Sequence, residues 1–78
     1  MYNRHMINIK LEIHVREVRK RQGLSLFQLS QLSGISETYI SEVERGLKSP
    51  SLYVMCALAA AMDVHIQDLY ICNIKNPL

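Results

Sequence analysis

The sequence predicts a single all-α domain of five helices. Two observations favour this fold: serines that can cap helices stand before apolar residues at helical spacing, and glycines follow several of these stretches. The length agrees with one domain, because 78 residues bury only about 60% of their unfolded surface and cannot divide it between two cores. With 49% hydrophobic and 21% charged residues, the chain is expected to be globular rather than disordered.

The first helix is predicted from about Leu11 to Gln22, where Gly23 can adopt the left-handed conformation that often ends helices. Residues 7–15 alternate apolar and polar side chains, a period-two pattern typical of a strand, but part of the same stretch also fits a helical stripe. We therefore predict a short extended segment over about residues 6–10, followed by the helix.

Two short helices are predicted in the middle of the chain. Ser25 begins the first of them, because Ser25 can accept a hydrogen bond from the N–H of Gln28 while the Gln28 side chain returns to Ser25, which is a capping box. Gly34 ends this helix after about two turns. Ser36 caps the next helix, which continues to Arg45. Two short helices joined by a tight, glycine-containing turn have the layout of a helix-turn-helix.

The last third of the chain is strongly apolar. Ser51 caps a predicted fourth helix with an apolar side made of Leu52, Met55, Leu58, Ala59 and Met62. His65 takes the cap position of a brief fifth helix that includes Leu69, and an apolar tail follows from Tyr70 to Ile74. Because an exposed apolar run on a small protein favours aggregation, we expect this tail to pair with residues 6–10, with a second copy of the chain, or with both.

The residue patterns of enzymes and metal sites are missing from the sequence. His5, His14 and His65 are isolated, and Cys56 and Cys72 lack the spacing of zinc ligands, so we expect two reduced thiols, no catalytic site, no metal and no cofactor. No small-molecule substrate is evident. No apolar run approaches the roughly 18–20 residues of a membrane span and no secretion signal is visible, so a cytoplasmic location without membrane contact is expected.

A helix-turn-helix is suited to duplex DNA. Its first helix can cross the DNA backbone with its N-terminal N–H groups near a phosphate, while its second helix enters the major groove, which is wide enough for one helix.

Ordered motifs over residues 11–69 point to one family. They are V-R-E-V-R before Gly23, S-x-x-x-L in the second helix, G-I-S at the turn, Y-I-S-x-V-E-R-G across the third helix, S-P-S-L, and M-D-V-H-I-Q-D-L. Each motif alone is common, but as an ordered set they resemble the Cro/C1-type (XRE) helix-turn-helix family of phage repressors, SinR-like regulators and restriction-modification controller proteins. The resemblance implies a lambda-repressor-like five-helix domain over residues 11–70, preceded by an N-terminal extension over 1–10 and followed by a C-terminal tail over 71–78.

The same resemblance implies a sequence-specific regulator of transcription that binds double-stranded DNA. By position in the motif, Glu37, Thr38 and Glu42 would contact base edges. Tyr39 and Ser41 would reach phosphates or adjoining bases. The full set of DNA-contacting positions that it implies is Ser25, Ser36, Glu37, Thr38, Tyr39, Ser41, Glu42, Arg45 and Lys48.

Arg19 and Glu44 match a pair that forms a partly buried salt bridge in the family. The resemblance therefore implies a structural role for both, namely orientation of the third helix rather than contact with DNA.

This chain departs from the family pattern in the second helix. Leu26 and Ser30 stand where many relatives carry Gln and Ala, so the polar side-chain contact of this helix is not implied. Leu26 and Phe27 could instead pack against a thymine methyl, a sugar edge or a partner protein, but we expect Phe27 to be half-buried.

The charges of the third helix also depart from the family pattern. Glu37 and Glu42 put two acids on the face that should approach DNA; each could accept a hydrogen bond from cytosine N4, or could be an ordinary solvated charge. Attraction to phosphates must then come from the basic residues, which are Arg16, Lys20, Arg21, Arg45 and Lys48.

A small module of this kind gains affinity by binding as a pair. We expect a repressor that recognises a two-fold symmetric operator as a homodimer, with the apolar segments Met6–Leu11 and Tyr70–Ile74 at the interface between copies. The alternative is a protein-interaction module, such as an antitoxin or anti-repressor, that binds another protein through its acidic third helix or its apolar tail.

Overall fold

The computed structural model describes residues 8–75 of the chain. This part is helical, with four α-helices, one 3-10 helix and a small sheet. In chain order the elements are β1 (Asn8–Ile13), α1 (Val15–Arg21), α2 (Leu26–Ser33), α3 (Glu37–Glu44), α4 (Leu52–Met62), the 3-10 helix (Ile66–Leu69) and β2 (Tyr70–Lys75). The expectation of an all-α domain of five helices is therefore only partly correct: four α-helices are present, the fifth helix is a 3-10 helix, and strands lie at both ends of the described residues.

One apolar core joins all the helices. Leu29 of α2, Ile40 of α3 and Leu58 of α4 are completely buried in it. The other buried apolar residues are Val15, Val18, Val43, Met55, Ala59, Met62 and Leu69. Most of the predicted apolar side of α4 thus faces the core, but Leu52 points outward.

Serine hydroxyls begin three of the helices, as the sequence predicts. Ser25 Oγ accepts a hydrogen bond from the Gln28 N–H at 3.0 Å, and Gln28 Oε1 accepts one from the Ser25 N–H at 2.8 Å, which completes the capping box. Ser36 Oγ accepts from the Tyr39 N–H at 3.2 Å, and Ser51 Oγ accepts from the Val54 N–H at 3.1 Å. Local hydrogen bonding therefore fixes where α2, α3 and α4 begin.

The two ends of the described chain pair as an antiparallel sheet. We call β1 and β2 together the terminal sheet; Ile9 lies opposite Ile74, and Ile13 lies opposite Tyr70. The alternating segment thus extends to residue 13, and α1 begins at Val15 rather than at Leu11. The reason is that β2 supplies backbone hydrogen-bond partners for this segment, so the segment forms a strand rather than the first turn of a helix. Residues 6 and 7 of the predicted extended segment lie outside the described residues.

The predicted fifth helix is a single 3-10 turn. It spans only Ile66–Leu69, and at its start the His65 N–H donates to the Asp68 carboxylate at 3.0 Å. Directly after it, the chain enters β2, and the Leu69 carbonyl accepts a hydrogen bond from the His14 N–H at 2.7 Å. The chain therefore becomes extended before a longer helix can form.

Between residues 8 and 75, no helix is long and apolar enough to cross a membrane. Cys56 and Cys72 are both free and exposed.

Candidate nucleic-acid interface

The pair α2 and α3 forms the helix-turn-helix. The two helices pack through Leu29 and Ile40, which are completely buried. Between them, Gly34 has a φ of +74°, a left-handed conformation that glycine adopts without strain. The Ile35 N–H then donates to Ser33 Oγ at 3.1 Å, which orders the turn. The buried contact and this turn fix the orientation of α3 relative to α2.

The outer side of α3 is polar and open. Glu37, Thr38 and Arg45 are exposed, and Ser41 is half-buried. Residues three or four apart share one side of a helix, so Thr38, Ser41 and Arg45 lie along one line, with Glu37 beside Thr38. Ile40 lies on the opposite side in the core. A polar side of this kind can reach base edges when the helix lies in a groove.

The N-terminus of α3 also offers backbone donors. Ser36, expected among the DNA-contacting residues, uses its hydroxyl to accept from the Tyr39 N–H. The N–H groups of Glu37 and Thr38, in the first turn, have no acceptor within the helix itself. The N–H groups of Leu26 and Phe27, which follow Ser25 at the start of α2, likewise have no acceptor within their helix. Such groups can donate to phosphate oxygens.

A buried ion pair holds α3 against α1. Arg19 Nε donates to Glu44 Oε2 at 2.7 Å, and its NH2 group donates to Glu44 Oε1 at 3.0 Å. A third hydrogen bond of 2.9 Å joins Arg19 to the Leu24 carbonyl. The hydrogen bonding of Arg19 to the Glu44 carboxylate raises the pKa of Arg19, although burial acts in the opposite direction. These are the two residues to which the family resemblance assigns a structural role.

Lys48 lies beside Tyr39 and Glu42 of α3. Its ammonium is 3.8 Å from a carboxylate oxygen of Glu42 and 5.6 Å from the centre of the Tyr39 ring. The half-buried Glu42 thus has a cation beside it, which reduces the repulsion that this acid exerts on a phosphate. The position of Lys48 was not evident from the sequence, because Lys48 is in a loop and has no helical spacing to Tyr39.

The expected basic residues are on α1 and at and after the end of α3. Arg16, Lys20 and Arg21 are exposed on α1. Arg45 follows α3 and its Nε donates to the Ser41 carbonyl at 3.4 Å, so the guanidinium stays near the outer side of that helix. Positive charge is therefore available on two elements near α3.

The expectation for Phe27 is wrong. Its side chain is 58% exposed at the start of α2 rather than half-buried. The reason is that Leu29 fills the space between α2 and α3, which leaves Phe27 on the outer side of the same helix. Its exposure is consistent with the other interpretation of the sequence, in which Phe27 packs against a thymine methyl, a sugar edge or a partner protein.

The family of the chain follows from comparison with known proteins. Residues 15–69 match the family described as helix-turn-helix. An uncharacterised helix-turn-helix transcriptional regulator of Mycobacterium tuberculosis is 40% identical over 57 residues, which make up 73% of this chain and 41% of that protein. The chain thus spans about two fifths of the length of that relative.

Solved structures show the same fold. The restriction-modification controller protein C.AhdI from Aeromonas hydrophila superposes with a TM-score of 0.67 at 39% identity, covering 69% of this chain and 82% of that one. The N-terminal DNA-binding domain of SinR from Bacillus subtilis superposes with a TM-score of 0.64 at 31% identity, covering 68% and 78%. The chain therefore belongs to the XRE-type helix-turn-helix family of DNA-binding transcription regulators.

Proposed function

We propose that this chain binds a specific duplex sequence through the outer side of α3 and represses transcription from nearby promoters. The observation that supports this most strongly is the polar, open side of α3 on a helix that the core and the buried Arg19 and Glu44 pair hold in place. A rigid helix with exposed polar side chains can discriminate base pairs, since each is held in register with the groove. Covering a promoter with such a domain blocks access to it.

The two acids of α3 would serve specificity rather than affinity. A carboxylate of Glu37 or Glu42 can accept a hydrogen bond from cytosine N4, but it repels phosphates. Affinity would come from hydrogen bonds at the starts of α2 and α3 and from the basic residues. With a net charge of only +2, the chain has a weak overall attraction to DNA, so specific contacts carry more of the binding.

A homodimer on a two-fold symmetric operator fits this balance. One domain of this size contacts one half-site, and two copies on half-sites about one helical turn apart combine their affinities. The terminal sheet, with its exposed apolar residues, is the proposed contact between copies. A protein with this role acts where chromosomal DNA is, so we place it in the cytoplasm.

Selection from a random duplex pool tests the proposal directly. The purified chain should enrich a two-fold symmetric sequence, and binding to that sequence should weaken steeply between about 50 and 200 mM salt. In a purified transcription reaction, a promoter that carries the sequence should lose activity as the chain is added. Failure to enrich any sequence, together with binding that salt does not change, would instead favour the protein-interaction alternative.

A further inference from the structure

One side of the terminal sheet is entirely apolar, apart from one cysteine. Side chains alternate along a strand, and residues opposite each other on paired strands point to the same side. The register therefore places six residues on this side, which we call the apolar face: Ile9, Leu11, Ile13, Tyr70, Cys72 and Ile74. Ile13 and Tyr70 pack against the core, whereas Ile9 is 61% and Ile74 is 63% exposed. The outer half of the apolar face is thus uncovered.

An apolar groove adjoins this face. It has a volume of about 290 Å³, shares Leu11, Ile13 and Tyr70 with the apolar face, and has Pro50, Leu52 and Ile66 on its far side. Among residues 8–75, none of those that line it is charged. Leu52, at the start of α4, is 72% exposed beside the groove.

The opposite side of the terminal sheet differs in character. Alternation and register place Asn8, Lys10, Glu12 and Asn73 there, together with Ile71. Four of these five side chains are polar and can be solvated, so most of the exposed apolar surface of the terminal sheet is on the apolar face.

We propose that two copies of the chain pack around a two-fold axis. The apolar face of each copy lies in the apolar groove of the other copy. A projecting apolar face and an apolar groove on the same chain are self-complementary, which is the condition for a closed, two-fold contact. The inference rests on the proposed homodimer and specifies how its copies pack.

The exposed area is of the size that such a contact needs. The uncovered parts of Ile9, Leu11, Leu52, Cys72 and Ile74 make up on the order of 500 Å² of apolar surface per copy, against about 800 Å² per partner in a standard interface. The polar rim that surrounds the apolar centre of most interfaces supplies the remainder. The described residues of the apolar face and of the groove carry no charge, so the contact leaves none of them as an unpaired buried ion.

Three single variants of the full chain test this packing. Ile74→Glu places a charge on the apolar face, and Leu52→Glu places one beside the groove; both residues are largely exposed, so folding should be retained and is checked by circular dichroism. Ile71→Glu is the matched control, because Ile71 is exposed on the other side of the same strand. In sedimentation equilibrium without DNA, we expect the first two variants to raise the dimer Kd at least about tenfold and the control to leave it unchanged.

Mixing the two disruptive variants distinguishes reciprocal packing from other dimers. A mixed dimer keeps one intact contact, formed by the unaltered face of the Leu52→Glu chain and the unaltered groove of the Ile74→Glu chain. With one chain ¹⁵N-labelled, native mass spectrometry should therefore show mixed dimers well above the roughly one half that random pairing gives. A random proportion, or a Leu52→Glu chain that dimerises as the wild type does, would overturn the proposed packing while leaving the homodimer in place.

The two natural cysteines give an independent readout. Cys72 lies on the apolar face, whereas Cys56 is exposed on α4 and does not line the groove. As the chain concentration rises through the dimer Kd, alkylation of Cys72 should slow while that of Cys56 stays constant. Equal rates at all concentrations would contradict the packing. If the wild-type chain stays monomeric, both the proposed homodimer and this packing are wrong. DNA recognition by α3 is tested separately, by the duplex selection.

Discussion

Arg19 is the residue on which the orientation of α3 most depends. Its guanidinium is almost fully buried and donates three hydrogen bonds, two to Glu44 at the end of α3 and one to the Leu24 carbonyl before α2. One side chain of α1 therefore joins both helices of the helix-turn-helix. Since α3 carries the outer polar side, this ion pair also fixes the orientation in which that side would meet DNA in the proposed function.

We predict that Arg19→Met lowers the free energy of unfolding by about 3 kcal/mol, because it leaves the Glu44 carboxylate buried without its partner. Urea unfolding followed by circular dichroism measures the change. Arg16→Met, on the exposed side of the same helix, is the matched control and should have little effect. Adding Glu44→Leu to Arg19→Met should restore part of the loss, since the unpaired charge is then gone. A loss below about 1 kcal/mol for Arg19→Met would contradict the prediction.

Lys48 should contribute to DNA binding through Glu42 as well as through phosphates. Its ammonium is 3.8 Å from the Glu42 carboxylate, so removing it takes away one cation and also exposes an acid to the DNA. We predict that Lys48→Ala weakens binding to all duplexes by roughly tenfold, as fluorescence anisotropy at fixed salt would measure.

A double-mutant cycle separates the two effects of Lys48. In the Glu42→Gln background, Lys48→Ala should cost clearly less affinity than in the wild type, because no acid is left to expose. Equal losses in both backgrounds would mean that Lys48 acts on the DNA alone.

At the scale of one element, we expect different residues in and next to α3 to determine the specificity and the affinity of DNA binding. Thr38 is in its first turn and exposed, whereas Arg45 follows its last turn and is held near Ser41. We predict that Thr38→Ala changes preference at one or two base pairs, by about 1 kcal/mol each, whereas Arg45→Ala weakens all duplexes alike. A panel of single-base variants of the selected site measures both effects. A uniform loss from Thr38→Ala would contradict base recognition by this side of α3.

The elements also show which features of the fold are readable from sequence. The starts of α2, α3 and α4 are predicted correctly, because Ser25, Ser36 and Ser51 cap their helices through hydrogen bonds that span only three residues. The start of α1 is not, because residues 8–13 can be strand or helix and only their distant partner, β2, decides. Local chemistry is visible in a single sequence, whereas pairing of the tail with the N-terminal segment is only one of the alternatives that the sequence offers, and the sequence does not give the length of the paired strands.

The residues of the candidate site also differ in how far the sequence predicts them. The family resemblance implies Glu37, Thr38 and Arg45 as contact positions, and the structure shows all three exposed. The contact of Lys48 with Tyr39 and Glu42 depends on the path of a loop, and the exposure of Phe27 depends on which neighbour fills the core. Both are properties of the folded chain rather than of any short segment.

For the whole molecule, the shape and the charge lead to a prediction about operators. The described part measures 46 × 20 × 18 Å, and the terminal sheet that we propose as the dimer contact is built from both ends of that part. If two copies are joined there, their α3 helices have a fixed separation and must enter two major grooves on the same face of the DNA. The modest net charge of +2 makes binding by a single copy weak.

We therefore predict that the spacing between half-sites is strict. Inserting about 5 base pairs at the centre of the selected operator turns one half-site to the opposite face of the duplex, since one helical turn is about 10.5 base pairs. Affinity should then fall to that of an isolated half-site, as measured by anisotropy with duplexes of equal length. Replacing the central base pairs without changing their number is the control and should have a much smaller effect. If the insertion leaves affinity intact, each copy binds its half-site independently, and the dimer has no part in operator recognition.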